Sequence, residues 1–309
     1  MSFNQLEHSH ETLGMLVNPI CPQSFLEEYW LKRPLYLGRV EGEHNSSLFS
    51  WTALNELLTI HQPLPPRLVL KHKGRQIAAS QYIRQASGWQ KTRIDVSSVE
   101  SLLGAGATLI VNGVDELYTP LREALADLER TFMFPIHANL YAAWALDEAF
   151  PMHWDEQETF IVQIAGSKHW TIHAPTAVAP DRKMDPPPPM PSGSPEFDLE
   201  MKAGQSLYLP KGWWHRVTPM AESTLHLTIT CETPTGINLL HWVADRMANV
   251  ETARLTIPYE RYEDHLRLLQ QAVIDELSRP ETIRAYWEHS AATTKALEQF
   301  RFPSLRGDL

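Results

Sequence analysis

Between residues 136 and 231 the chain is cut into apolar runs too short for stable helices and too numerous for one hairpin. "HANLYAAWAL", "ETFIVQIAG", "KHWTIHA", "QSLYLP" and "STLHLTITCE" are rich in β-branched and aromatic residues, and Gly, Pro or Ser separates them. Several short strands of this kind must share one core, so the pattern predicts a sandwich or barrel, the jelly roll among them. One stretch interrupts it. "PDRKMDPPPPMPSGSPEFD", residues 180–198, cannot hold a regular strand and is expected to be an extended surface loop.

The flanks differ from this core. In "CPQSFLEEYWLKRP" Ser24 precedes Glu27 by three residues, a capping-box pattern, and Pro34 is expected to stop the helix. "WTALNELLTI" reads as a helix and "RLVLKHKGRQI" as a hairpin turning at Lys73-Gly74. "LYTPLREALADLERTFM" places Leu117, Leu121, Leu125 and Leu128 on one helical stripe. Beyond Pro234, Leu239, Leu240, Val243, Met247 and Val250 repeat at helical spacing, as do Leu266, Leu269, Val273 and Leu277. Pro280 opens a third helix. The expected organisation is α+β: a mixed N-terminal part over 1–95, a barrel over 96–234 carrying the 180–198 insertion, and a helical segment over 235–309.

Charge narrows the function. With 27 Lys+Arg against 37 Asp+Glu the formal net charge is −10. This argues against broad nucleic-acid binding through phosphates and suits a protein, peptide or small-molecule partner. No apolar run reaches the roughly 18–20 residues that span a bilayer. The opening "MSFNQLEHSHETLG" is acidic without an apolar centre, unlike a signal peptide. Cys21 and Cys231 stand far apart in no metal-binding spacing, which suits a reduced, cytoplasmic setting.

Chemistry concentrates in "FPMHWDEQETFIVQIAGSKHWTIHAP". His153 and Asp155 are two apart, so an extended backbone points both at one place. A third ligand must come from another strand, and His215 of "GQSLYLPKGWWHRV" is the candidate. Two imidazoles and one carboxylate leave coordination positions open, as in non-haem Fe(II) oxygenases. Structural zinc is disfavoured for want of sulfur ligands, whereas catalytic zinc stays open. Lys168 shares a strand face with Trp170 and Ile172. A buried ammonium needs an anion or loses its proton, so either a remote carboxylate, a bulge that flips the parity, or a bound anion must account for it. A dicarboxylate that chelates a metal at one end and meets lysine at the other, 2-oxoglutarate, would explain both features.

Together "PMHWDEQETFIVQIAGSKHW", "KAGQSLYLPKGWWHRV" and "STLHLTIT" resemble the JmjC-type, cupin-like 2-oxoglutarate oxygenases, in particular the ribosomal oxygenase branch that hydroxylates arginine or histidine in ribosomal proteins. The first segment is also similar to the asparaginyl hydroxylase that acts on the hypoxia-inducible factor. With "SFLEEYWLKRPLYL" the likeness covers most of the chain. It implies a double-stranded β-helix in which His153, Asp155 and His215 hold catalytic Fe(II) and Lys168 binds the distal carboxylate of 2-oxoglutarate. Asn139, Tyr141, His226 and Thr230 are implied to line the co-substrate pocket, and Trp214 the substrate entrance or the barrel wall. The implied reaction consumes O2 and 2-oxoglutarate, releases succinate and CO2, and hydroxylates a side chain of a protein or peptide. The helical segment is implied to form a homodimer. The winged helix that follows it in that branch is expected to be missing, since the sequence ends at Leu309. Other readings stay open here: hydroxylation of a small molecule or free amino acid, demethylation of methyl-lysine or methyl-arginine, hydroxylation of a tRNA base, and a non-catalytic metal-binding cupin.

Overall fold

The computed structural model describes residues 11–38, 48–85, 91–144, 147, 149–220, 223–260 and 262–294. The first residues of the opening segment read above as no signal peptide, and the end of the 235–309 segment, lie outside the described residues. Two compact units form. One comprises the described residues up to 131 together with 136–231, the other 132–135 with those from 232 onward.

In the first unit the helices are α1 (Glu11–Val17), α2 (Pro22–Glu28), α3 (Trp51–His61), α4 (Val96–Gly104) and α5 (Thr119–Phe132). The strands are β1 (Leu35–Leu37), β2 (Leu68–His72), β3 (Arg75–Gln76), β4 (Ile83–Arg84), β5 (Arg93–Ile94), β6 (Thr108–Val111), β7 (Ile136–Ala143), β8 (Glu158–Ala165), β9 (Ser167–His173), β10 (Phe197–Lys202), β11 (Ser206–Leu209), β12 (Trp214–Pro219) and β13 (Thr224–Cys231). An eight-stranded sheet runs β1-β11-β8-β13-β7-β6-β2-β3, and a three-stranded sheet runs β10-β9-β12. Ile161 and Leu207 from the large sheet pack with Trp170, Ile172 and Met201 from the small one, so a single apolar core lies between them. This is the α+β jelly-roll, double-stranded β-helix architecture.

Local chemistry explains most boundaries. Ser50 caps α3, its hydroxyl accepting from the Ala53 amide at 3.1 Å. At the β2–β3 turn Lys73 and Gly74 take φ of 48° and 76°, the left-handed pair that a tight hairpin demands. Leu121, Leu125 and Leu128 are buried along α5, whereas Leu117 precedes the helix. The capping-box reading of Ser24 is corrected. Pro22 already occupies the first helical turn, so Cys21 is the N-cap and its sulfur accepts from the Ser24 amide. α2 also ends at Glu28, well before Pro34, because Leu31 turns to φ 61° and Trp30 folds onto Phe160 and Tyr208.

Gly166 alone joins β8 to β9, which lie in different sheets and form no hairpin. Its φ is +63°, and a Cβ there would stand 2.2 Å from the Ser223 carbonyl oxygen. Gly166→Ala is therefore expected to destabilise the protein near the upper end of the roughly 0.5–3 kcal/mol usual for single substitutions. Urea unfolding measures this against Gly38→Ala, where the added methyl meets nothing. Equal midpoints for the two variants would refute it.

The second unit is helical: α6 (Gly236–Arg246), α7 (Glu251–Arg254), α8 (Tyr262–Leu277) and α9 (Pro280–Ala292). Thr235 and Asn238 form a reciprocal capping box at α6. Buried Glu276 accepts from Arg246 at 3.1 Å, Arg279 at 2.9 Å and Thr282 at 3.1 Å, which ties α6, α8 and α9 together. No helix among the described residues is long and apolar enough to cross a membrane.

Candidate metal and co-substrate site

His153 precedes β8 and meets the start of β12. The amide of His153 donates to the carbonyl of His215 at 3.0 Å, and that of His215 donates back at 2.7 Å. Two residues on, the Asp155 carbonyl accepts from the Gly212 amide at 2.9 Å, in a turn where Gly212 holds φ +83°. These backbone bonds bring distant segments into register, and one ligand-capable atom from each of His153, Asp155 and His215 lies within 4.8 Å of the others.

Both imidazoles are oriented in advance. Nδ1 of His153 lies 2.9 Å from the Pro151 carbonyl, and Nδ1 of His215 lies 3.1 Å from that of Trp213. A carbonyl only accepts, so each Nδ1 carries the proton and each Nε2 keeps its lone pair for a metal. Burial, and then the neighbouring His215, push His153 down to about 4, which keeps that ring neutral at physiological pH. Phe150 stacks on His153 at 5.3 Å, and Trp170 stacks on His215 at 5.8 Å.

The cavity beside this cluster measures about 380 Å³. Pro151 and Arg182 on its wall are exposed and His153 and Asp155 half-buried, while Lys168, Trp170 and His226 are buried. It therefore opens at the histidine–aspartate end and closes at Lys168. Lys168 is 3% exposed, and no carboxylate among the described residues pairs with it. Its Nζ lies 2.7 Å from Nδ1 of His226, whose ring stacks on Tyr141 at 4.8 Å. Burial pushes the lysine down to about 7. His226 is driven well below its ordinary value by burial and by the lysine, so its Nδ1 is free to accept. The strand register shifts between Leu225 and His226, an irregularity of the kind that re-aims a side chain next to a site.

Of the four other pocket residues expected, Tyr141 and His226 line the cavity, whereas Asn139 and Thr230 do not. The Asn139 side-chain oxygen accepts from the Gly113 amide at 3.0 Å, and the side chain also hydrogen-bonds Tyr141. Trp214 is buried and donates from Nε1 to Thr176 at 3.0 Å, which makes it a barrel-wall residue. Thr228 lines the cavity between the two β13 positions chosen from the sequence, as do Thr159, Ile161, Trp170 and Phe150. Strand alternation signals Thr228, Thr159 and Ile161. Nothing local signals Phe150 or Arg182, which arrive from loops.

A jelly-roll barrel with two imidazoles and a carboxylate converging in its open end has the architecture of a cupin-like metal site. Residues 117–239 match the JmjC domain family. It is 25% identical over 233 residues to the "Bifunctional lysine-specific demethylase and histidyl-hydroxylase NO66" of Drosophila persimilis, across 74% of this chain but 32% of that protein. The chain thus spans about a third of that relative's length. The X-ray structure of Escherichia coli ycfD aligns with 92% of this chain and 75% of its own, at TM-score 0.60 and 18% identity. The structure of YcfD, a ribosomal oxygenase, in complex with cobalt and 2-oxoglutarate aligns with 92% of this chain and 74% of its own, at TM-score 0.58 and 17% identity. At these identities the likeness to solved structures is one of fold.

Proposed function

We propose that this protein is an Fe(II)- and 2-oxoglutarate-dependent oxygenase that hydroxylates a side chain of a protein or peptide. The observation that carries the reading is the pairing of two unlike ends in one cavity. Two metal-ready imidazoles and a carboxylate stand at the open end, and a buried lysine, paired with no carboxylate among the described residues, stands at the closed end. The donor set fits non-haem Fe(II), and the lysine fits the far carboxylate of a dicarboxylate co-substrate.

In this reading His153, Asp155 and His215 hold the metal and Lys168 the distal carboxylate, with Tyr141 and His226 walling the co-substrate. The chemistry supplied by bound Fe(II), 2-oxoglutarate and O2 is oxidative decarboxylation to succinate and CO2, coupled to hydroxylation of a C–H bond. The chain itself orients and excludes. The carbonyls of Pro151 and Trp213 hold the two histidines in the ligating tautomer. Trp170, Ile161 and Val217 keep water from the closed end. Arg182, from the Pro-rich segment, stands at the open end, where a substrate side chain enters; its Nε lies 3.6 Å from Glu156.

A relative named as a demethylase and histidyl-hydroxylase supports a protein substrate with histidine as a target, and arginine is the other target that the resemblance of the sequence motifs implies. The acidic net charge suits a basic partner. Exposed Ile237, Leu240, Leu266, Leu268 and Trp287 support dimerisation through the 235–309 segment, with 1–95 and 96–234 forming the JmjC module. Cys21 and Cys231, neither of them in a disulfide, suit a cytoplasmic setting.

Anaerobic titration of the metal-free protein with Fe(II) and 2-oxoglutarate tests this. A visible charge-transfer band is expected, absent in His153→Ala and demanding far more 2-oxoglutarate in Lys168→Ala. A wild-type protein that binds iron and shows no band would overturn the co-substrate reading.

A further inference from the structure

The loop before His153 is held from outside the barrel core. Pro151 supplies the carbonyl that fixes the His153 tautomer, and Phe150 supplies the ring stacked on that imidazole at an interplanar angle of 30°. Both are gripped by the β2–β3 hairpin. The ammonium of Lys71 lies 3.9 Å from the centroid of the Phe150 ring. A Cβ on Gly74 would lie 3.4 Å from Cδ of Pro151, so the hairpin turn abuts that residue directly. Farther back in the same loop, the Asp147 carboxylate meets Nε2 of His72 at 2.8 Å and Nζ of Lys73 at 3.6 Å.

We propose that the β2–β3 hairpin is a positioning element for His153, acting through Asp147, Phe150 and Pro151 to set how tightly the site holds its metal. This rests on the reading of His153 as a metal ligand. The hairpin tip contributes little else to the fold, since β3 is the edge of the large sheet and Arg75 and Gln76 are exposed. Three successive residues, 71 to 73, nevertheless touch Phe150 and Asp147 in the loop before the ligand, and Gly74 lies beside Pro151. Fixing an imidazole before the metal arrives removes an ordering cost from binding, as the outer partners of ligating histidines generally do. Phe150 and Pro151 border the cavity, but these residues act on the metal through His153, so they are positioning residues.

Co(II), which reports its coordination through visible d–d bands and undergoes no turnover, is the probe. It is titrated into the metal-free full chain without 2-oxoglutarate, and thermal midpoints are measured in parallel. Phe150→Leu and Asp147→Ala are each expected to weaken Co(II) binding by about 10-fold, the low end for outer partners of metal ligands. Phe150→Tyr, which keeps the ring, restores wild-type affinity. Lys71→Met, at the hairpin itself, weakens binding in the same direction, while Lys168→Met changes 2-oxoglutarate affinity and leaves Co(II) affinity alone. Weakened binding at an unchanged thermal midpoint supports the proposal. Wild-type affinity in all the hairpin and loop variants overturns it, and so does a loss seen only in variants that have also lost their folded signal. A wild-type protein that binds no Co(II) sinks the metal reading itself, so the two failures are distinct.

Discussion

Replacing Lys168 with methionine raises the thermal midpoint of the ligand-free protein and at the same time cripples its binding of 2-oxoglutarate. The lysine is buried, its hydrogen-bond partner among the described residues is the neutral His226, and burial alone lowers it from 10.5 to about 7. The sign follows from proton counting. Between pH 7 and 10.5 the unfolded chain holds this proton more firmly than the folded one, so stability rises with pH across that window. Below pH 7 the penalty is present in full. At about 1.4 kcal/mol per unit, this shift corresponds to about 5 kcal/mol of destabilisation as an upper figure. Methionine removes that cost and leaves Nδ1 of His226 without a donor, which offsets about 1–3 kcal/mol. A net gain of about 2 kcal/mol moves the midpoint of a domain this size by roughly 4–8 °C. The variant forfeits a charge-assisted bond to the co-substrate of about 1.5–3 kcal/mol, or roughly 10–100-fold in affinity. Melting curves at about pH 6.5 and about pH 9.5, on either side of the folded-state value, with and without 2-oxoglutarate, check each part. A variant less stable than wild type at the lower pH would contradict the assignment of Lys168 as a cation kept for a ligand.

Asp155→Asn is expected to abolish both the iron chelate band and succinate formation with little change in fold. Asp155 supplies the one carboxylate of the cluster, and imidazole ligates a metal as an uncharged group, so Asp155 alone can offset the charge of a divalent cation. Asparagine keeps the size and one acceptor oxygen and removes that charge. The resulting loss of metal affinity should exceed the roughly 10–100-fold seen when outer partners of a ligand are changed. Its side chain is half-buried at the open end and its backbone carbonyl still accepts from Gly212, so the barrel has no reason to unfold. Calorimetric titration with Fe(II) and a succinate assay measure the effect. Full retention of metal binding would remove Asp155 from the ligand set.

Much of this site could be read from local spacing. Residues i and i+2 on extended backbone share a face, which is enough to couple His153 with Asp155 and Lys168 with Trp170. The same rule put Asn139 with Tyr141 and Thr230 with His226 on common faces, while their place at the pocket came from the resemblance. A face is longer than a cavity: Tyr141, His226 and Thr228 line the wall, and Asn139 stands behind it, bonded to the Gly113 amide and to Tyr141. Helix ends proved sensitive to single residues: Pro22 moved the cap of α2 to Cys21.

The sequence by itself determined the alternation of strands, the ligand types and the placement of a cation on an apolar face. Each of these depends on neighbours within a few residues. Only the tertiary structure decided that His215 reaches His153, because that pairing rests on two backbone hydrogen bonds between segments far apart along the chain. It also decided that Lys168 faces His226, that β8 and β9 part company at Gly166, and that a hairpin from residues 68–76 grips the loop before the first ligand. Such contacts form only once the chain has closed on itself, and no periodicity along the sequence records them.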